Sequence, residues 1–94
     1  VIGAEGAAQA IRLAKAGKFD LYLLDNWLPE MAGVDLCKKL REFDPITPIL
    51  FYSGAAYESD KERAIAAGAQ GYIVKPALPD EIISEISRLI SPKE

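Results

Sequence analysis

The sequence predicts an α/β domain in which an open parallel sheet carries helices on both faces. Three observations predict it. Short runs of apolar, β-favouring residues alternate with longer runs of helical periodicity along the chain. The short runs are apolar at consecutive positions rather than at every second one, as expected for strands buried between helices. Gly and Pro stand between the runs at regular intervals, where the chain must change direction.

The elements follow in order. Val1-Ile2 can be read as the end of a strand. Ala7 to Ala16 is Ala-rich and sets Ala7, Ala10, Ile11 and Ala14 on one helical face. Leu21-Tyr22-Leu23-Leu24-Asp25 is an apolar strand bounded by Gly17 and Pro29. Val34 to Phe43 gives a helix with Leu36, Cys37 and Leu40 at core spacing, so the Cys37 thiol is expected to be packed rather than reactive. Ile49-Leu50-Phe51-Tyr52-Ser53 is a second strand, between Pro48 and Gly54. Ser59-Asp60-Lys61-Glu62 reads as a capping box that opens a helix stopping at Gly68. Gly71-Tyr72-Ile73-Val74 is a third strand, stopped by Pro76. The last helix carries an apolar stripe of Ile82, Ile83, Ile86, Leu89 and Ile90, expected to be chiefly core. Pro79, Asp80 and Glu81 suit its first turn and Arg88 its last. Ser91 to Glu94 read as a frayed tail. No linker, repeat or low-complexity stretch divides the chain, so residues 1–94 are expected to form one domain.

Composition narrows the function. Half of the 94 residues are hydrophobic and 27% are charged, which suits a packed domain. The net charge of −3 and the absence of any extended Lys/Arg cluster argue against nucleic-acid binding. No apolar run approaches the roughly 20 residues of a membrane span, and no cationic-then-apolar leader opens the chain. Cys37 is the only cysteine, which precludes an internal disulfide and fits a cytoplasmic setting. With no histidine present, His-based acid–base catalysis, His metal ligation and a phosphohistidine carried by this chain are excluded.

In open parallel sheets, sites form at the carboxyl ends of the strands. Asp25, Ser53 and Lys75 each follow an apolar run directly, so a carboxylate, a hydroxyl and an ammonium should meet on one rim. Taken singly, each is as readily a cap, a turn former or a solvated side chain. Together they have a chemical logic. A carboxylate can attack phosphorus to give an acyl phosphate. A lysine neutralises phosphate charge as a point cation. A hydroxyl donates to a phosphate oxygen.

These residues resemble the receiver domains of two-component response regulators. Asp20-Leu21-Tyr22-Leu23-Leu24-Asp25-Asn26-Trp27-Leu28-Pro29, then Gly33, looks like that family's phosphoacceptor strand and loop. Tyr52-Ser53-Gly54-Ala55 looks like its fourth strand with the switch hydroxyl, and Gly68 to Pro76 like its fifth strand with its lysine. The resemblance implies a flavodoxin-like, three-layer αβα fold with strand order 2-1-3-4-5. It implies that Asp25 takes a phosphoryl group from a histidine kinase or phosphotransfer protein, that Lys75 contacts the phosphate, and that Ser53 and Tyr72 move in concert. The face of the fourth helix, fifth strand and fifth helix would then change its partner preference. Magnesium is the implied cofactor, held by Asp25, the backbone carbonyl of Trp27 and an acidic pair. A cis Lys75-Pro76 peptide and an output domain in a longer parent are also implied. Such a chain is a switch rather than an enzyme.

The sequence departs from that pattern at the front, where it begins near the family's second strand. The family's first strand, ending in the acidic pair, and the helix after it would be a unit of roughly 30 residues. Glu5 and Glu30 do not replace that pair at a strand end. Magnesium binding is therefore expected to be weak in this chain. The free strand edges suggest a homo-oligomer or swapped assembly. Ala32 stands before Gly33 where many relatives have Asp or Asn. Trp27 is expected to pack over the loop and Tyr57 to shield the rim. One alternative is a pseudo-receiver, an interaction module that is never phosphorylated. Another is an aspartate-nucleophile hydrolase, disfavoured because Asn26, Trp27 and Leu28 supply no second carboxylate after Asp25.

Overall fold

The computed structural model describes residues 7–17, 19–25 and 31–90. Its elements are α1 (Ala7–Ala16), β1 (Tyr22–Leu24), α2 (Gly33–Phe43), β2 (Ile49–Ser53), α3 (Glu58–Ala66), β3 (Gly71–Val74) and α4 (Pro79–Ile90). The strands form one parallel sheet in the order β1-β2-β3. This is the alternating α/β architecture that the apolar runs predict, and each strand lies within its predicted run. The strand end proposed at Val1-Ile2, the acidic residues Glu5 and Glu30, the loop residue Trp27 and the tail from Ser91 lie outside the described residues.

The central strand β2 is the most buried element, with Ile49, Leu50, Phe51 and Ser53 all closed to solvent. Strand alternation divides it between two layers. Ile49 and Phe51 face α1, α2 and α3, in a core with Ala14, Leu24, Leu36, Cys37, Leu40, Ala64, Ala67 and Ala69. Cys37 is fully buried, and its thiol donates to the Ala67 carbonyl at 3.4 Å. Burial pushes this thiol above its ordinary pKa, which keeps it protonated and inert. Leu50 faces the opposite layer, where α4 packs closely. A Cβ on Gly71 would lie 2.9 Å from Leu50 Cδ1 and 3.5 Å from Leu89 Cδ1, so the missing side chain lets α4 approach the sheet.

Two expectations need correction. The capping box of α3 is set earlier than Ser59. The helix starts at Glu58 after Tyr57, and the Asp60 carboxylate accepts the Tyr57 N–H at 3.1 Å. An acid three residues into the helix can reach back to whichever N–H precedes the first turn, and Asp60 occupies that position. The apolar stripe of α4 is also not core. Ile82, Ile86 and Leu89 are half-buried, Ile83 and Ile90 are exposed, and no residue of α4 is buried. Among the described elements, α4 alone covers its face of the sheet. Leu23 of β1, on the same face, is left 42% exposed.

Candidate functional site

The parallel register sets the strand ends side by side. Leu24 pairs with Phe51, and Ser53 with Val74. The Lys75 N–H continues the ladder by donating to the Ser53 carbonyl at 2.8 Å. A cis Lys75-Pro76 bond follows, as expected. The carboxyl ends of β1, β2 and β3 therefore present Asp25, Ser53 and Lys75 on one rim.

Asp25 and Lys75 are in direct contact. Lys75 Nζ donates to Asp25 Oδ2 at 2.7 Å, with the carboxylate side chain 28% exposed and the lysine side chain 43% exposed. The hydrogen bond to Asp25 holds the Lys75 pKa above its ordinary value, against the opposing effect of desolvation and with the attraction of the same carboxylate added to it. The cation is thus fixed beside the carboxylate while both side chains keep partial contact with solvent.

Ser53 and Tyr72 form a second arrangement around one residue, Ala55. Ser53 is fully buried, and its Oγ accepts the Ala55 N–H at 3.2 Å. The Tyr72 hydroxyl donates to the Ala55 carbonyl at 2.6 Å. Its ring stacks on Phe51, with centroids 5.6 Å apart and planes within 4°. Ala55 is therefore held at its N–H by the serine and at its carbonyl by the tyrosine, which pins the two peptide groups on either side of its Cα. Tyr57 is 79% exposed and stands in the loop after β2.

The sequence reading missed Tyr52, whose ring lies under the Lys75 ammonium, 5.1 Å from the nitrogen to the ring centroid. Strand alternation alone would place Tyr52 on the face opposite Ser53. Only the register between three strands shows that this is also the face crossed by Lys75.

Comparison with known proteins decides the family. The model of the response regulator receiver domain matches residues 1–87. The chain belongs to the response regulator receiver family. This receiver domain is 39% identical over 89 residues to the cell cycle response regulator CtrA of Brucella ovis, covering 95% of this chain and 37% of that protein. It is 33% identical over 94 residues to the alkaline phosphatase synthesis transcriptional regulatory protein PhoP of Bacillus subtilis, covering 100% of this chain and 39% of that protein. The chain thus spans about two fifths of the length of these curated relatives. Among solved structures, it resembles a response regulator protein from Burkholderia pseudomallei with a phosphorylated aspartic acid, calcium ion and citrate. The TM-score is 0.80 and the identity 30%, over 88% of this chain and 49% of that one.

Receiver domains typically bind magnesium beside the phosphorylated residue. The donors among the described residues do not make such a site. Asp25 offers one carboxylate, one of whose oxygens is engaged by Lys75, and no group of three or more Asp, Glu, Cys or His side chains converges among the described residues. Magnesium prefers six oxygen ligands in near-octahedral geometry, so a single carboxylate falls short of it. No helix among the described residues is long and apolar enough to cross a membrane.

Proposed function

We propose that this receiver domain is a phosphorylation-dependent switch of a two-component system, with Asp25 as the phosphoacceptor. The 2.7 Å contact between Lys75 Nζ and Asp25 Oδ2, at the carboxyl rim of a parallel sheet in a chain of this family, carries the reading. A carboxylate oxygen of Asp25 attacks the phosphorus of a phosphohistidine on a histidine kinase or phosphotransfer protein. The new O–P bond forms as the N–P bond breaks, and the imidazole nitrogen leaves with the electron pair. Lys75 is already placed to offset the charge that the phosphoryl oxygens bring. The reaction transfers a group to the protein itself, so the chain acts as a switch and not as a turnover enzyme.

The backbone of Ala55 supplies the coupling. The Ser53 hydroxyl is fully buried, so reaching a phosphoryl oxygen at the rim requires it to rotate away from the Ala55 N–H that it now accepts. That releases one of the two hydrogen bonds that hold Ala55, whose carbonyl accepts from Tyr72. Phosphorylation thereby biases a two-state element made of Ser53, the 54–57 loop and Tyr72. The readout would be a changed surface on α3, β3 and α4, presented to an output domain of a longer protein or to a separate partner in the cytoplasm. We read residues 1–94 as one receiver unit.

The test is incubation of the 94-residue chain with acetyl phosphate in magnesium-containing buffer, followed by intact mass measurement. The expected result is one added phosphoryl group in the wild type and none in Asp25→Asn. No gain in the wild type would favour the pseudo-receiver alternative. Equal gain in both proteins would place the acceptor elsewhere.

A further inference from the structure

The Lys75–Asp25 bridge joins the two outer strands among those described, not neighbours. Adjacent strands lie about 4.8 Å apart, so a link from β3 to β1 spans roughly twice that and must pass over β2. The residue at the crossing is Tyr52. Its register partner on β3 is Ile73, which shares a face with Lys75 by strand alternation. One step past the pair Leu24 and Phe51, the parallel register brings Asp25 level with Tyr52. The three residues therefore share one face, and the Lys75 ammonium lies 5.1 Å from the Tyr52 ring centroid, within cation–π range.

We propose that Tyr52 is a positioning residue, whose ring holds the Lys75 ammonium at the crossing point and keeps it at the rim when the charge on Asp25 changes. The inference deepens the phosphoacceptor reading and rests on it. Lys75 has two partners of different kinds. Asp25 is the group that the reaction converts into an acyl phosphate, so the carboxylate that now binds the cation is altered by the chemistry. The ring is not altered. An ammonium resting on it can pivot from Asp25 Oδ2 to a phosphoryl oxygen without being released to solvent. This matters because the Lys75 side chain is 43% exposed and otherwise free to lose its geometry to water.

The experiment compares the wild type with Tyr52→Phe, Tyr52→Leu and Tyr52→Met. Phe keeps the ring, whereas Leu and Met keep apolar bulk without it. In the unphosphorylated proteins, NMR reads the shifts of the Lys75 ε-methylene protons. The ring current should move them upfield in the wild type and in Tyr52→Phe, and return them to ordinary values in Tyr52→Leu and Tyr52→Met. Mass gain with acetyl phosphate should be about threefold slower in the two ringless variants than in the wild type and Tyr52→Phe. No upfield shift in the wild type, an unchanged rate in folded ringless variants, or a Phe variant as slow as Leu would overturn the proposal. Absence of any mass gain in the wild type would instead strike at Asp25 as acceptor. The NMR arm would still decide whether the ring holds Lys75.

Discussion

Two clusters of side chains act at opposite ends of the strands. At the carboxyl rim, Asp25, Lys75 and Tyr52 arrange charge around the proposed acceptor. At the amino ends, Asp44 accepts from the Tyr22 hydroxyl at 2.8 Å, from Thr47 Oγ1 at 2.6 Å, and from the N–H groups of Ile46 and Thr47 at 3.1 and 3.0 Å. The Thr47 donors first, with Tyr22 and Ile46 behind them, hold the Asp44 carboxyl well below the usual carboxylate range. Burial, and then the negative Asp44, push Tyr22 up to about 12. The sign follows from linkage. Asp44 contributes stability above its unfolded pKa of about 3.9, and that contribution fades as pH falls toward its depressed folded value. Tyr22 contributes below about pH 10, and its contribution is lost as pH rises through about 12. Asp44→Asn should therefore destabilise the domain by about 1 kcal/mol at neutral pH. Thermal midpoints by circular dichroism from pH 7 to pH 3 should fall less steeply in Asp44→Asn than in the wild type. Parallel pH profiles would contradict the assignment.

At the scale of elements, Arg41 ties α2 to the entries of both β2 and β3. Its guanidinium donates to the carbonyls of Gly68, Asp44 and Thr47 and to Gln70 Oε1, at 2.8 to 3.1 Å. Gln70 Oε1 also accepts the Ile49 N–H at 2.8 Å. This network sets the level at which β2 and β3 begin, and so the level at which Ser53 and Lys75 end them. Gly68 is part of the device. Its φ of 116° suits glycine, and an added Cβ would lie 2.9 Å from the Arg41 side chain. Gly68→Ala should destabilise the domain by about 2 kcal/mol, read as a lower urea midpoint at unchanged slope. An unchanged midpoint would mean that the turn relaxes freely. The sequence shows Gly68 as a helix stop. It does not show that Arg41, 27 residues away, is packed against it, because a hydrogen bond across such a separation leaves no local periodicity.

At the scale of the molecule, the local rules were most legible where one segment satisfies them alone. The strands, the α2 core face and the convergence of Asp25 with Lys75 all follow from apolar runs and strand ends. What escaped depends on neighbours. The α4 stripe has the period of a core helix, yet it is only half covered, because burial depends on how many elements share its layer. Tyr52 is an ordinary apolar strand residue until three strands are in register. The same open layer carries a prediction about assembly. With β1 an edge among the described strands, Leu23 42% exposed and Ile83 60% exposed, we propose that the 94-residue chain self-associates. Light scattering should show a mass that rises with concentration. A constant monomer mass at high concentration would contradict this.

If Asp25 is the acceptor, the modification can be located chemically. The chain is treated with acetyl phosphate, reduced with borohydride, which converts an aspartyl phosphate into homoserine, and then digested and sequenced by mass spectrometry. Homoserine is expected at position 25 and at no other aspartate. Homoserine at another position, or Asp25 intact in protein that had gained a phosphoryl group, would contradict it.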